Sequence, residues 1–133
     1  RDWLRNFLET EVHPKLAPNM NWENKVHSAK TDLRLVGAGG TASILARMEL
    51  QTSDFHRESI EAARLTCDRV RWHVRHLWSL PSVDREKIVG LPPKRADVIL
   101  TGAAIYEAVM ECFGFSELRV STRGLRFAAV MEQ

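Results

Sequence analysis

LVGAGGTAS, Leu35 to Ser43, sets three glycines within four positions, after a short apolar run and before a segment with helical spacing. LRLV, Leu33 to Val36, has the pattern of a short buried strand ended by glycine, and TASILARMEL then puts Ile44, Leu45 and Met48 on one helical face. The local order is strand, glycine turn, helix. Glycines allow close backbone approach, and a helix N-terminus gathers amide donors, so such a turn can cradle an anion. It lacks the Lys-Ser or Lys-Thr ending of a P-loop and the spacing of a dinucleotide fingerprint, so a purely structural bend stays open on these residues alone.

Upstream, Trp3, Leu4, Phe7, Leu8 and Val12 recur at helical spacing, and Pro14 with LAPNMN signals the stop. Downstream, Ile60, Ala63, Cys67, Val70, Val74, Leu77 and Trp78 follow steps of mostly three and four, which predicts one long helix from His56 to Ser79. Ser82 offers an N-cap for a short helix reaching Val89 or Gly90. LPPKRADVILTGAAIYEAVMECFG then reads as a helix entered through prolines, with Arg95 and Asp97 in its first turn and Gly114 as its stop. ELRVS from Glu117 is a second strand, and a terminal helical stretch starts near Gly124.

This order predicts an α/β chain, mostly helical, with two short parallel strands joined through helices. Two such strands make a poor sheet, because parallel pairs usually sit inside larger sheets covered on both faces. The deficit predicts a piece of a larger α/β domain. The truncated sheet also leaves a strand edge, which predicts a homodimer.

With 133 residues the chain suits a single domain, 1–133, and 44% hydrophobic residues suffice for one core. A net charge of +2 falls short of a dedicated nucleic-acid binder, so no nucleic-acid partner is expected. The two cysteines, Cys67 and Cys112, form no disulfide framework or zinc pattern. No apolar run approaches the roughly 20 residues that cross a bilayer, so no membrane partner is expected and the cytoplasm is the default. The chain opens at Arg1 in mid-pattern, which reads as a segment of a longer polypeptide.

Several constellations carry chemistry. Arg95 can hold a carboxylate or phosphate, while Asp97 can simply complement a helix dipole. STRGLR, Ser121 to Arg126, brings two hydroxyls and two arginines to the end of a strand, where α/β sheets bind ligands. Both Gly39/Gly40 and Gly124 fall at such ends. The five arginines between Arg57 and Arg75 face three acidic residues, the pattern of a solvated helix laced with ion pairs, with anion binding as the lesser reading. His73 and His76 lack a third ligand of metal spacing, and Ser121 lacks a His and Asp ordered around it, so no metal site and no nucleophilic catalysis are expected.

Taken in order, GAGGTASILARMEL, GLPPKRADVILTGAAIYEAVME and ELRVSTRGLR resemble the three closing blocks of the Ppx/GppA phosphatases, the exopolyphosphatase and guanosine pentaphosphate phosphohydrolase family. The resemblance implies the later part of the second lobe of a ribonuclease H-like, actin-type fold, with the N-terminal lobe and GGGS phosphate loop upstream in cis. It implies hydrolysis of terminal phosphate from inorganic polyphosphate or guanosine pentaphosphate, with magnesium in the intact enzyme and no metal held by this chain. By resemblance, Gly39, Gly40 and Thr41 match the family's GGT, Arg95 and Asp97 its RAD, and Arg126 the arginine of its GLR; all six are candidate substrate-binding residues. No glutamate matches the catalytic base, so no catalytic residue is carried over and the chain alone is expected to be inactive. The family's usual GLREG reads GLRFA here, with Phe127 and Ala128, which keeps a non-catalytic anion-binding or regulatory module as the alternative.

Overall fold

A computed structural model describes residues 1–16, 33–124 and 127. The first segment is helical throughout: α1 (Asp2–Phe7) runs through a π-helical turn (Leu8–Val12) into α2 (His13–Leu16). The wide turn lies just before Pro14, whose ring lacks an N–H and would crowd the carbonyl four residues back in a regular helix. Pro14 therefore accompanies a π-turn rather than a stop.

After the described residues resume come β1 (Leu35–Ala38), α3 (Gly40–Glu49), α4 (Arg57–Ala62), β2 (Arg64–Thr66), α5 (Cys67–Ser79), α6 (Ser82–Arg85), a 3-10 turn (Pro93–Arg95), α7 (Ile99–Phe113) and β3 (Glu117–Ser121). The sheet order is β1-β3-β2. As expected, β1 and β3 pair in parallel, Leu35 opposite Leu118 and Ala38 opposite Ser121. β2 adds an antiparallel edge, Leu65 opposite Leu118.

β2 corrects the single helix expected from His56 to Ser79. Ala63 turns to extended backbone, Leu65 is fully buried, and the Thr66 hydroxyl caps α5 by accepting from the Arg69 amide at 3.3 Å. Cys67 N–H donates to the Ser116 carbonyl at 2.9 Å, fixing the start of α5 beside β3. Ile60, Ala63 and Cys67 keep a three-to-four spacing across the break, so apolar periodicity alone conceals it.

One sheet face packs on the helices: Gly37, Leu65, Leu118 and Val120 are buried with Leu45, Met48, Val74, Ile99 and Met110. On the opposite face Val36 is 54% exposed. Gly114 ends α7 in the left-handed conformation, as expected. Three further boundaries differ. β1 spans Leu35–Ala38, two residues later than the expected Leu33–Val36, because its pairing with β3 carries the strand into the first glycine. α6 stops at Arg85, and it begins after Pro81 with no side-chain cap. α7 starts only at Ile99, because the paired prolines open a separate 3-10 turn. Arg95 and Asp97 thus precede the helix instead of occupying its first turn.

Candidate anion-binding groove

The turn after β1 forms the centre of the site. Gly39 has φ 95° and ψ −169°, a region open essentially only to glycine, and it starts α3 with no side-chain cap. The first-turn amides of α3 are left as donors at the positive end of a ten-residue helix. Ser43 is turned inward on its own helix, its hydroxyl donating to the Gly39 carbonyl at 3.0 Å.

An open groove of about 990 Å³ runs from this turn, lined by Ala38, Gly39, Gly40, Ser43, Ile44, Arg47, Phe55, Pro92, Lys94, Arg95, Thr122, Gly124 and Phe127. The ends of β1 and β3 meet here, as parallel-strand logic expects. Thr122 is fixed by Glu61, whose Oε1 accepts from the Thr122 amide at 3.0 Å and hydroxyl at 2.6 Å. Those bonds, led by the hydroxyl, hold the Glu61 carboxyl below its ordinary range, so it stays ionised.

Thr41 lines a smaller adjoining hollow of about 150 Å³ with Gly40, Ile44, Arg95, Val98 and Ile99. Its side chain also abuts Gly102 of α7, where a Cβ would fall 2.5 Å from Thr41 Oγ1. Arg95 is exposed and belongs to both spaces. Its turn is clamped from α6: Arg85 donates to the Ala96 carbonyl at 3.0 Å, and Ser82 Oγ donates to Asp97 Oδ1 at 2.7 Å.

The structure thus brings Gly39, Gly40 and Arg95 to one groove and sets Thr41 beside it. Asp97 ties down the turn instead of lining the groove. Arg126 lies outside the described residues. Arg47, Phe55 and Lys94 were not among the sequence candidates. Arg47 alone had a signal, since it follows Gly40 by seven residues on the stripe that carries Ser43 and Ile44.

Charge in the groove is one-sided: Arg47, Lys94 and Arg95 line it, and no described lining residue is a carboxylate. On α5, Arg69 and Arg71 are instead engaged. Arg69 chelates Glu49 through Nε at 3.0 Å and Nη2 at 2.9 Å, and Arg71 pairs with Glu111 at 3.0 Å and with Asp68 at 2.6 Å. This agrees with ion-pair lacing rather than anion binding. His73 is buried with Nε2 2.7 Å from Glu49 Oε2, while His76 stacks on Trp72, so the two histidines serve different contacts. Burial pushes the His73 imidazole below its ordinary value, against the opposing pull of Glu49. Burial alone would raise the Glu49 carboxyl, but bonds from Arg69 and His73 outweigh it and hold it low.

Comparison with known proteins supplies the family. The Ppx/GppA phosphatase model matches residues 5–132. The chain belongs to the Ppx/GppA phosphatase family. A Fusobacterium nucleatum bifunctional 3-dehydroquinate synthase/phosphatase is 25% identical over 133 residues, 99% of this chain and 18% of that protein. The Aquifex aeolicus PPX-GPPA enzyme superposes with a TM-score of 0.76 at 25% identity, covering 99% of this chain and 39% of that one. An exopolyphosphatase from Cytophaga hutchinsonii shares the fold at a TM-score of 0.64 and 22% identity, over 90% of this chain and 36% of that one. The Ppx/GppA chain therefore spans less than half of each of these proteins.

Among the described residues no group of three or more His, Cys, Asp or Glu comes together to hold a metal, and no helix is long and apolar enough to cross a membrane. The lining arginines and lysine do not suit magnesium, which takes hard oxygen ligands.

Proposed function

We propose that this chain forms one wall of the substrate cleft of a cytoplasmic phosphohydrolase that releases terminal phosphate from inorganic polyphosphate or guanosine pentaphosphate. The observation that carries this is the convergence of two strand ends, an uncapped helix N-terminus and three cations on a groove with no lining carboxylate among the described residues. Phosphoryl transfer is catalysed mostly by positioning and charge neutralisation, and these groups supply both on one side of a phosphate chain. The chain is the later part of a second lobe. The attacking water's base, any magnesium ligands and the GGGS loop belong to other parts of a longer polypeptide, and the edge of β1 that no described strand pairs is covered there in cis or by a second copy.

The test is phosphate release by the full-length polypeptide from both substrates with magnesium. Release from at least one, cut about tenfold or more by Arg95→Gln, supports the reading; no release from either overturns it. A second reading, a non-catalytic anion-binding module, rests on Phe127. It stands where the family tail carries an acid, lines the groove, and lies 5.2 Å beneath the Arg123 guanidinium. Binding of polyphosphate without hydrolysis is its signature.

A further inference from the structure

Gly40, Ser43, Ile44 and Arg47 form one stripe of α3 along the groove. At about 1.5 Å per residue, the Arg47 backbone lies roughly 10 Å along the helix axis from that of Gly40. The groove therefore has two separated points for negative charge. The first is the uncapped α3 N-terminus with Arg95 and Lys94 of the neighbouring 3-10 turn, and the second is Arg47. The lining also includes Ile44, Phe55 and Pro92, whose side chains offer an anion no hydrogen bond.

Arg47 differs from Arg69 and Arg71 of α5. No carboxylate among the described residues pairs with it. Its Nη2 donates to the Ser53 carbonyl, and its Nε is buried with no partner. A surface arginine would swing into water to satisfy such a donor. This one is held in the groove wall by the loop after α3, with its charge uncompensated.

We infer that Arg47 is a second phosphate contact that sets the length of chain the cleft prefers: short phosphate chains reach only the α3 N-terminus and Arg95, whereas long-chain polyphosphate also reaches Arg47. This rests on the cleft reading above. Low-dielectric apolar walls strengthen such a contact relative to one in open water.

Steady-state hydrolysis of tripolyphosphate and of long-chain polyphosphate, expressed per chain, by the full-length polypeptide tests it. Arg47→Gln is expected to raise KM for the long chain about tenfold and KM for tripolyphosphate by much less, so that their ratio rises several-fold; Arg47→Lys recovers most of the loss. Arg95→Gln raises KM for both. Circular dichroism checks that each variant is folded. An unchanged ratio of the two KM values in Arg47→Gln, with the Arg95 effect intact, overturns the role of Arg47 and leaves the cleft standing. Equal KM values for the two chains in the unmutated protein overturn it without any variant. Hydrolysis of neither probe overturns the role of Arg47, and the cleft reading falls with it when guanosine pentaphosphate is not hydrolysed either.

Discussion

Gly90 is the position where one added methyl group should do most damage near the groove. It has φ 90°, and a Cβ built there would lie 2.6 Å from the Arg47 carbonyl carbon and the Met48 nitrogen. The left-handed conformation costs an L-residue about 1–2 kcal/mol. The clash is with helix backbone, so it cannot be relieved by a rotamer change, and overpacking of this kind costs about 1–3 kcal/mol more. Gly90→Ala should therefore lose about 2–5 kcal/mol. With about 2.1 cal/mol/K of unfolding entropy per residue, a chain of this length loses roughly 3–4 °C per kcal/mol, so Tm falls by about 7–18 °C. Because α3 must shift where Arg47 leaves it, the groove distorts too. Gly40→Ala is the control: nothing lies within 4 Å of its added Cβ and its φ is ordinary, so stability should hold or rise by up to about 1 kcal/mol. Differential scanning fluorimetry compares the three proteins. A Gly90→Ala variant melting within 2 °C of the parent would refute the close packing of this loop on α3.

Three further outcomes follow from the contacts of α5. The native His73 binds protons less readily than its ordinary value of 6.5 implies and the native Glu49 less readily than 4.5, so the unfolded state takes up more protons as pH falls. Stability should decline from about pH 6.5 downward and further below 4.5; urea midpoints at pH 7.5, 5.5 and 4 check the sign, and a midpoint that rises on acidification contradicts it. Glu49→Gln breaks the Arg69 chelate and weakens the His73 bond, an expected loss of about 1–3 kcal/mol by urea titration at pH 7.5. Thr66→Ala removes the α5 cap and should cost about 0.5–2 kcal/mol, whereas in an uninterrupted helix alanine there would stabilise.

How much of this was legible depends on whether the determining interaction is local. The strand, glycine turn and helix from Leu35 to Glu49 follow from neighbouring residues, and so does the left-handed stop at Gly114. The parallel pairing of β1 and β3 followed from connectivity. β2 did not, because it exists through its pairing with β3, more than 50 residues away, while its flanks keep helical spacing. Thr66 followed by Asp68 was the available warning, a cap and a first-turn acid within an apparently continuous helix. At the site, Gly39, Gly40, Arg95 and Gly124 were legible from strand-end logic and from family resemblance. Phe55 and Lys94 carried no motif; the folds of two loops bring them in. Asp97 shows the opposite limit, since its neighbourhood with Arg95 in sequence does not make it a neighbour of the groove.

The distribution of charge explains why a chain of net charge +2 can present a distinctly cationic groove. Away from the groove, three arginines are matched to carboxylates across helices: Arg5 to Glu111 at 2.9 Å, Arg69 to Glu49 and Arg71 to Glu111. Pairing of this kind offsets the charge of Arg69 and Arg71 on α5 and leaves them only modest attraction for a polyanion. Arg47, Lys94 and Arg95 gather where the described lining has no acid, beside a helix start that glycine leaves uncapped. An anion at the groove would meet local excess rather than overall charge, and salt should weaken that attraction while leaving the Glu49–His73 contact largely untouched.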